Sequence, residues 1–138
     1  IMCCYHYFAS IDSPENKAFQ KNWTAKFGAD YNEIGTLAVC TYNSVNLYKK
    51  GVEQAGTVER MPVIEALETG ISVDGPGGKV TIDPRTHHTI MTATIAELRG
   101  GKFDIVKVEK DRTPDDTASV CDLVANPDQA TMYRIEVD

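Results

Sequence analysis

Apolar positions follow a helical spacing up to about Gly70 and an alternating one beyond it. Residues 4–11, rich in Tyr, Phe and Ile, predict a strand. The run Ser13-Pro14-Glu15-Asn16 then predicts a helix start. Ser13 can accept from an early N–H, Pro14 suits the first helical position, and Glu15 favours the positive helix end. This first helix runs from Pro14 to Phe27 and stops at Gly28, with Ala18, Phe19, Trp23 and Phe27 as its inward stripe. A second helix spans Glu33 to Ala55 and ends at Gly56. Its expected buried face is Leu37, Cys40, Thr41, Ser44, Leu47, Tyr48, Gly51, Val52 and Ala55, whose small members let another backbone come close. A shorter third helix fits Thr57 to Leu67, with Val63, Ile64 and Leu67 inward and Pro62 near its start, where a missing N–H costs little.

After Gly70 the pattern predicts strands. Ile71-Ser72-Val73 is strand-like, Asp74-Gly75-Pro76-Gly77-Gly78 is a turn cluster, and Lys79 to Asp83 alternates with period two. Thr89 to Glu97 predicts a longer strand that returns through a hairpin at Arg99-Gly100-Gly101-Lys102 into Phe103 to Val108. Arg112 to Asp116 reads as a polar loop, Thr117 to Ala125 as a helix turn or two, and Met132 to Val137 as a terminal strand. Taken alone, helices followed by strands describe an α+β domain.

The 138 residues fit one domain, and 42% hydrophobic with 25% charged residues are ordinary globular values. A net charge of -6 argues against nucleic acid, which needs a basic face. No apolar run reaches the ~20 residues that span a bilayer, so membrane insertion is not expected. Ile1 to Phe8 lack the basic start and cleavage site of a signal peptide and read as a strand entering from elsewhere. The four cysteines lack CxxC spacing. Cys40 is expected as a small buried hydrophobe, and Cys4 with Cys121 is one conceivable long-range pair.

The candidate chemistry is sparse. Gly75-Pro76-Gly77-Gly78 leads into a strand, so it reads as a turn and not as a phosphate cradle. His87-His88 would point to opposite faces of a strand and are expected to be structural, with no metal site. Ser10 and Asp12 lie near His6 in sequence, but no GxSxG elbow appears, and Asp115-Asp116 read as solvated. No enzymatic activity is expected. The cluster Tyr5, His6, Tyr7 and Phe8 is the best binding candidate, because a tyrosine offers an apolar ring and a hydroxyl that can bond an amide. Its structural alternative is a strand packing aromatics into the core.

Three segments carry a family resemblance: Tyr7-Phe8-Ala9-Ser10-Ile11-Asp12-Ser13-Pro14-Glu15-Asn16, Tyr48-Lys49-Lys50-Gly51-Val52-Glu53-Gln54-Ala55-Gly56, and Asp83-Pro84-Arg85-Thr86-His87-His88-Thr89. They resemble the solute-binding proteins of ABC transporters for urea and short-chain amides, with a related amide-sensing regulator, in the type I periplasmic-binding-protein superfamily. The resemblance implies an α/β fold, part of a two-lobed architecture with a late β-rich segment. Residues 1–138 would be its carboxyl-terminal portion, contributing to both lobes. It also implies capture of urea, an amide or an amino-acid-like solute by interlobe closure, and delivery to ABC permease subunits, with no cofactor. Tyr5, His6 and Tyr7 would be ligand-binding residues, although the family often has Trp where this chain has Tyr5. The location would be periplasmic or extracytoplasmic, or cytoplasmic for a regulator that controls amidase expression.

Overall fold

The computed structural model describes residues 1–31 and 33–132. Strand β1 (Met2–Tyr5) leads into helix α1 (Pro14–Phe27), and a single 3-10 turn (Ala29–Tyr31) precedes helix α2 (Thr36–Ala55). Helix α3 (Arg60–Leu67) follows, then strands β2 (Ser72–Gly75), β3 (Gly78–Ile82), β4 (Thr89–Arg99) and β5 (Lys102–Arg112), and one short helix, α4 (Asp115–Ala118). Every strand pairing is antiparallel. β4 organises the sheet: β5 runs along one edge, while β1 and β3 share the other, at Thr94–Glu97 and Thr89–Met91 respectively. The hairpin between β4 and β5 turns at Gly100 and Gly101, whose φ values of 54° and 79° are those a two-residue hairpin turn demands.

The helix ends follow the local signals. Ser13 caps α1, its Oγ accepting from Asn16 N at 3.1 Å, and Gly28 closes the helix by donating its N–H to Thr24 O. α2 starts at Thr36 instead of Glu33, because Gly35 is extended and the preceding Ile34 is buried in the core. α3 starts at Arg60 instead of Thr57, whose hydroxyl accepts from Glu59 N in a turn. The glycine cluster is shorter than expected: Gly75 pairs with Gly78, so only Pro76 and Gly77 turn.

Other expectations are corrected. The strand expected over residues 4–11 stops at Tyr5, because the backbone beyond it bonds to α1 side chains. Asn16 Nδ2 donates to Ala9 O and Ile11 O at 3.1 and 2.7 Å, and Gln20 Nε2 donates to Ala9 O at 2.8 Å. On α1 the buried positions are Asn16 and Phe19, while Ala18 and Phe27 are exposed. On α2 they are Val39, Asn43, Leu47 and Gly51, one residue in each turn, and Leu37 is 80% exposed. Gly51 does permit close approach, since a Cβ there would lie 3.1 Å from Leu67 of α3. All four cysteines are free thiols, so Cys4 and Cys121 are not bridged, and Cys40 is only half-buried. The expected strand from Met132 falls almost wholly on 133–138, outside the described residues.

One apolar cluster holds α2 and α3 to the sheet and another packs α1 against α2 and the segments that precede them, so α2 serves both. Leu47 packs with Ala66, Ile71, Val73 and Val80, while Val39 packs with Tyr7, Phe19 and Ile34. No helix among the described residues is long and apolar enough to cross a membrane.

Candidate functional site

The end of β1 sends three consecutive side chains into different surroundings. Tyr5 is 52% exposed, and its ring meets Phe8 edge-on at 5.9 Å. His6 is buried under the β2–β3 turn. Its Nδ1 lies 3.0 Å from Thr92 O, which can only accept, and its Nε2 lies 3.4 Å from Asn43 Nδ2, which can only donate. The imidazole proton therefore sits on Nδ1. Tyr7 is 2% exposed, and its hydroxyl donates to Asn16 Oδ1 at 2.9 Å, so burial raises its pKa. Of the three, Tyr5 has a side chain open to a ligand.

The catalytic combinations do not assemble. Ser10 Oγ donates to Phe103 O, and Asp12 pairs with Lys17 at 2.6 Å. Cys40, His6 and Asn43 share one cavity of about 60 Å³, the residue set of a thiol triad. Both imidazole nitrogens are engaged there, so none remains to take the thiol proton. Among the described residues no cluster of three His, Cys, Asp or Glu side chains is placed to hold a metal.

The Asp83–Thr89 segment is a clasp. Asp83 accepts from Arg85 N and from the Thr86 hydroxyl, and His87, at φ 57°, turns to meet Glu68 at 2.8 Å. His87 therefore sits in a turn, not on a strand. Arg85 donates through Nε and Nη2 to Asp122 Oδ2 at 3.1 and 2.9 Å, and its carbonyl accepts from Leu123 N. The backbone N–H of Ala125 and the Arg85 guanidinium together hold the Asp122 carboxyl below its usual range. A lowered folded pKa stabilises at neutral pH, and that contribution is lost as pH falls through it. Acidification below the ordinary carboxylate value is thus expected to release the segment around Leu123 before the core melts. Amide exchange at Leu123 checks this. Exchange that stays slow until global unfolding would contradict the clasp, and Arg85→Met is expected to speed it at pH 7.

A recess of about 440 Å³ lies between the helices and the β4–β5 ribbon. Its helical wall is the lead into α1, from Ile11 to Glu15, together with the β2–β3 turn from Asp74 to Lys79. Its floor is Thr92 and Thr94, and its far wall is Ile105, Val108 and Lys110 of β5. Periodicity could not have picked out these residues. The period of two shows that Thr92 and Thr94 share a face, but not which face meets a cavity. Asn43 was missed because it lies at a buried position where a helix usually places an apolar residue. Its Oδ1, pressed against Gly75, has no hydrogen-bond partner among the described residues.

Comparison with known proteins follows this geometry. The Periplasmic binding protein domain family matches residues 2–120. A limonene hydroxylase of Geobacillus stearothermophilus is 25% identical over 136 residues, covering 96% of this chain and 24% of its own. The Leu/Ile/Val-binding protein homolog 6 of Brucella abortus is 27% identical over 99 residues, covering 71% of this chain and 25% of its own. The solved solute-binding protein of an ABC transporter from Rhodopseudomonas palustris HaA2, in complex with p-hydroxybenzoic acid, is 32% identical. It superposes with a TM-score of 0.68 over 82% of this chain and 32% of that one. The chain thus spans about a quarter to a third of the length of these relatives. One relative carries an enzyme's name, whereas the matching family and the solved structure are binding proteins. With most of its length matched by that family and its helices and sheet superposing on a solved member, the chain belongs to the periplasmic binding protein domain family and has part of its type I α/β fold.

Proposed function

We propose that the chain is the carboxyl-terminal portion of the solute-binding component of an ABC importer, contributing to both lobes and acting outside the cytoplasmic membrane. The observation that carries this reading is the side-by-side pairing of β1 with β4, from Met2 opposite Glu97 to Tyr5 opposite Thr94. β1 leads into the helices, and β4 leads from the β2–β3 hairpin out to β5. Two chain connections between two bodies, running antiparallel and adjacent, make a hinge, and the 440 Å³ recess has a wall on each body. The solute is urea, a short-chain amide or an amino-acid-like compound, bound mostly by residues beyond this chain and passed to permease subunits. Tyr5, exposed beside the hinge, contacts the solute, while His6 and Tyr7 hold that strand end in place. The function is binding and not catalysis, and it requires no cofactor. Support for the amide class comes from the resemblance of Asp83–Thr89. Relatives whose names include Leu/Ile/Val and p-hydroxybenzoic acid support small solutes in general.

The test is calorimetric titration of urea, acetamide, L-leucine and p-hydroxybenzoate into the full-length protein that carries this chain. One of the first three is expected to saturate, and Tyr5→Ala is expected to weaken it about tenfold, about 1.4 kcal/mol. Saturation by p-hydroxybenzoate alone would keep solute capture and replace the solute class. No binding to folded protein would overturn the reading.

A further inference from the structure

We infer that His6 and Asn43 form a proton-operated latch where the chain leaves β1: when the His6 ring takes a second proton, the Asn43 amide turns end for end and its oxygen accepts from the new N–H. Three observations lead to it. Asn43 is 3% exposed, and its Oδ1 is shut off from solvent with no hydrogen-bond partner among the described residues. A buried acceptor left unbonded is costly. The other end of the same amide is poorly used, since Nδ2 reaches His6 Nε2 only at 3.4 Å, beyond the usual range of about 2.7 to 3.2 Å. Gly75 leaves the amide room to turn. A Cβ there would collide with Oδ1 and lie 2.9 Å from Nδ2, and Gly75 has no left-handed φ that would itself call for glycine.

In the neutral ring Nδ1 donates to Thr92 O, and the Nε2 lone pair suits the Asn43 donor. A proton taken from solvent adds to that lone pair, and Nε2 becomes a donor facing a donor. Rotation of the amide removes the conflict: Oδ1 comes to the Nε2–H and gains a charge-assisted bond, stronger than a neutral one. Thr92 O keeps its bond throughout, so the charged ring stays tied to β4 and is tied more tightly to α2. Few titratable groups stand near. α2 adds the Cys40 thiol, which lines the same small cavity, while β3 and β4 add only Val80, Thr89 and Met91. The β2–β3 hairpin over the ring carries Asp74 and Lys79 opposite each other, one charge of each sign, and the ring's own segment adds Tyr5 and Tyr7. The two bonds of the ring itself go to Thr92 O and Asn43. That this place is a hinge rests on the importer reading, under which protonation couples the helical body more firmly to the crossing. The turn of the amide does not rest on it, because every group involved belongs to this chain.

The test is NMR of the full-length protein without solute, following the His6 ring nitrogens and the Asn43 side-chain amide from about pH 7.5 to about pH 5, where imidazoles change charge. At the upper end Nδ1 is expected to carry the only ring proton. On acidification Nε2 is expected to gain its own, and the Asn43 amide signals to move with the same midpoint. Asn43→Asp, which offers an oxygen whichever way it turns, is expected to keep both ring nitrogens protonated at about pH 7. Asn43→Leu, which offers none, is expected to need about tenfold more acid for the same protonation. A ring that titrates while the Asn43 amide signals stay still would overturn the latch. So would a ring that stays neutral until the protein unfolds, or one that titrates alike in the parent and Asn43→Leu. Ring and amide signals that move together in a protein that binds no solute in the calorimeter would sink the importer reading and leave the latch standing.

Discussion

Asn16→Ala is expected to lower the unfolding free energy by about 3 kcal/mol, the largest effect of any single polar substitution proposed for this chain. Asn16 is 1% exposed and uses its whole amide. Its Nδ2 donates to the carbonyls of Ala9 and Ile11, and its Oδ1 accepts from the Tyr7 hydroxyl and from Gln20 Nε2 at 2.9 and 3.1 Å. Removing it leaves a buried hydroxyl and two carbonyls with fewer partners, in surroundings that admit little water. Asn16→Asp discriminates between shape and chemistry. The carboxylate keeps the shape and both accepted bonds, but it has no donor for Ala9 and Ile11. It should therefore fail to rescue, while Ser13→Ala at the helix cap costs about 1 kcal/mol. Urea denaturation of the three variants measures this. Asn16→Asp as stable as the parent would show that the carbonyl bonds carry little.

Gly77→Ala is expected to cost about 3 kcal/mol, at the upper end of overpacking effects. A Cβ at this position would lie 2.6 Å from His6 O and 2.7 Å from His6 Nε2. Neither can retreat, because one is backbone and the imidazole is held between Thr92 O and Asn43. Gly35→Ala is the control: its added methyl meets nothing within 4 Å, and it should cost under about 1 kcal/mol. Thermal unfolding of the two variants side by side tests the contact. Equal losses would mean that the turn rides freely over His6.

These two positions show how far the residues could be read in advance. Ser13, Pro14 and Gly28 were legible as helix punctuation, and the structure places α1 between them. The helix stripe was not legible at the same resolution. Asn16 is polar, so a count of apolar spacing passes over it, yet it is the most buried residue of the first turn because α1 must bond the carbonyls of the segment that precedes it. Asn43 likewise sits on the inner face of α2, between Val39 and Leu47, while Leu37 faces outward. Of the candidate site, the segment Tyr5 to Tyr7 was visible as an aromatic cluster, but the division of labour within it was not. The recess was invisible, since it joins residues as far apart as Glu15 and Lys110.

The chain's own residues determined the element order, the helix caps, the hairpin at Gly100-Gly101 and the absence of a long apolar span. Each depends on backbone preferences and hydrogen bonds within a few positions. Tertiary structure decided that the first strand ends at Tyr5, that Asn16 and Asn43 face inward, that Arg85 clasps a distant loop while His87 meets Glu68, and that Thr94 lies beneath a recess. The strand end and Asn16 depend on contacts between segments 5 to 11 positions apart, and the others on partners far off in sequence: 37 positions separate Asn43 from His6, 37 separate Arg85 from Asp122, and 86 separate His6 from Thr92. A local pattern can specify that a residue is helical or extended. Only the packed chain determines which buried donor meets which acceptor.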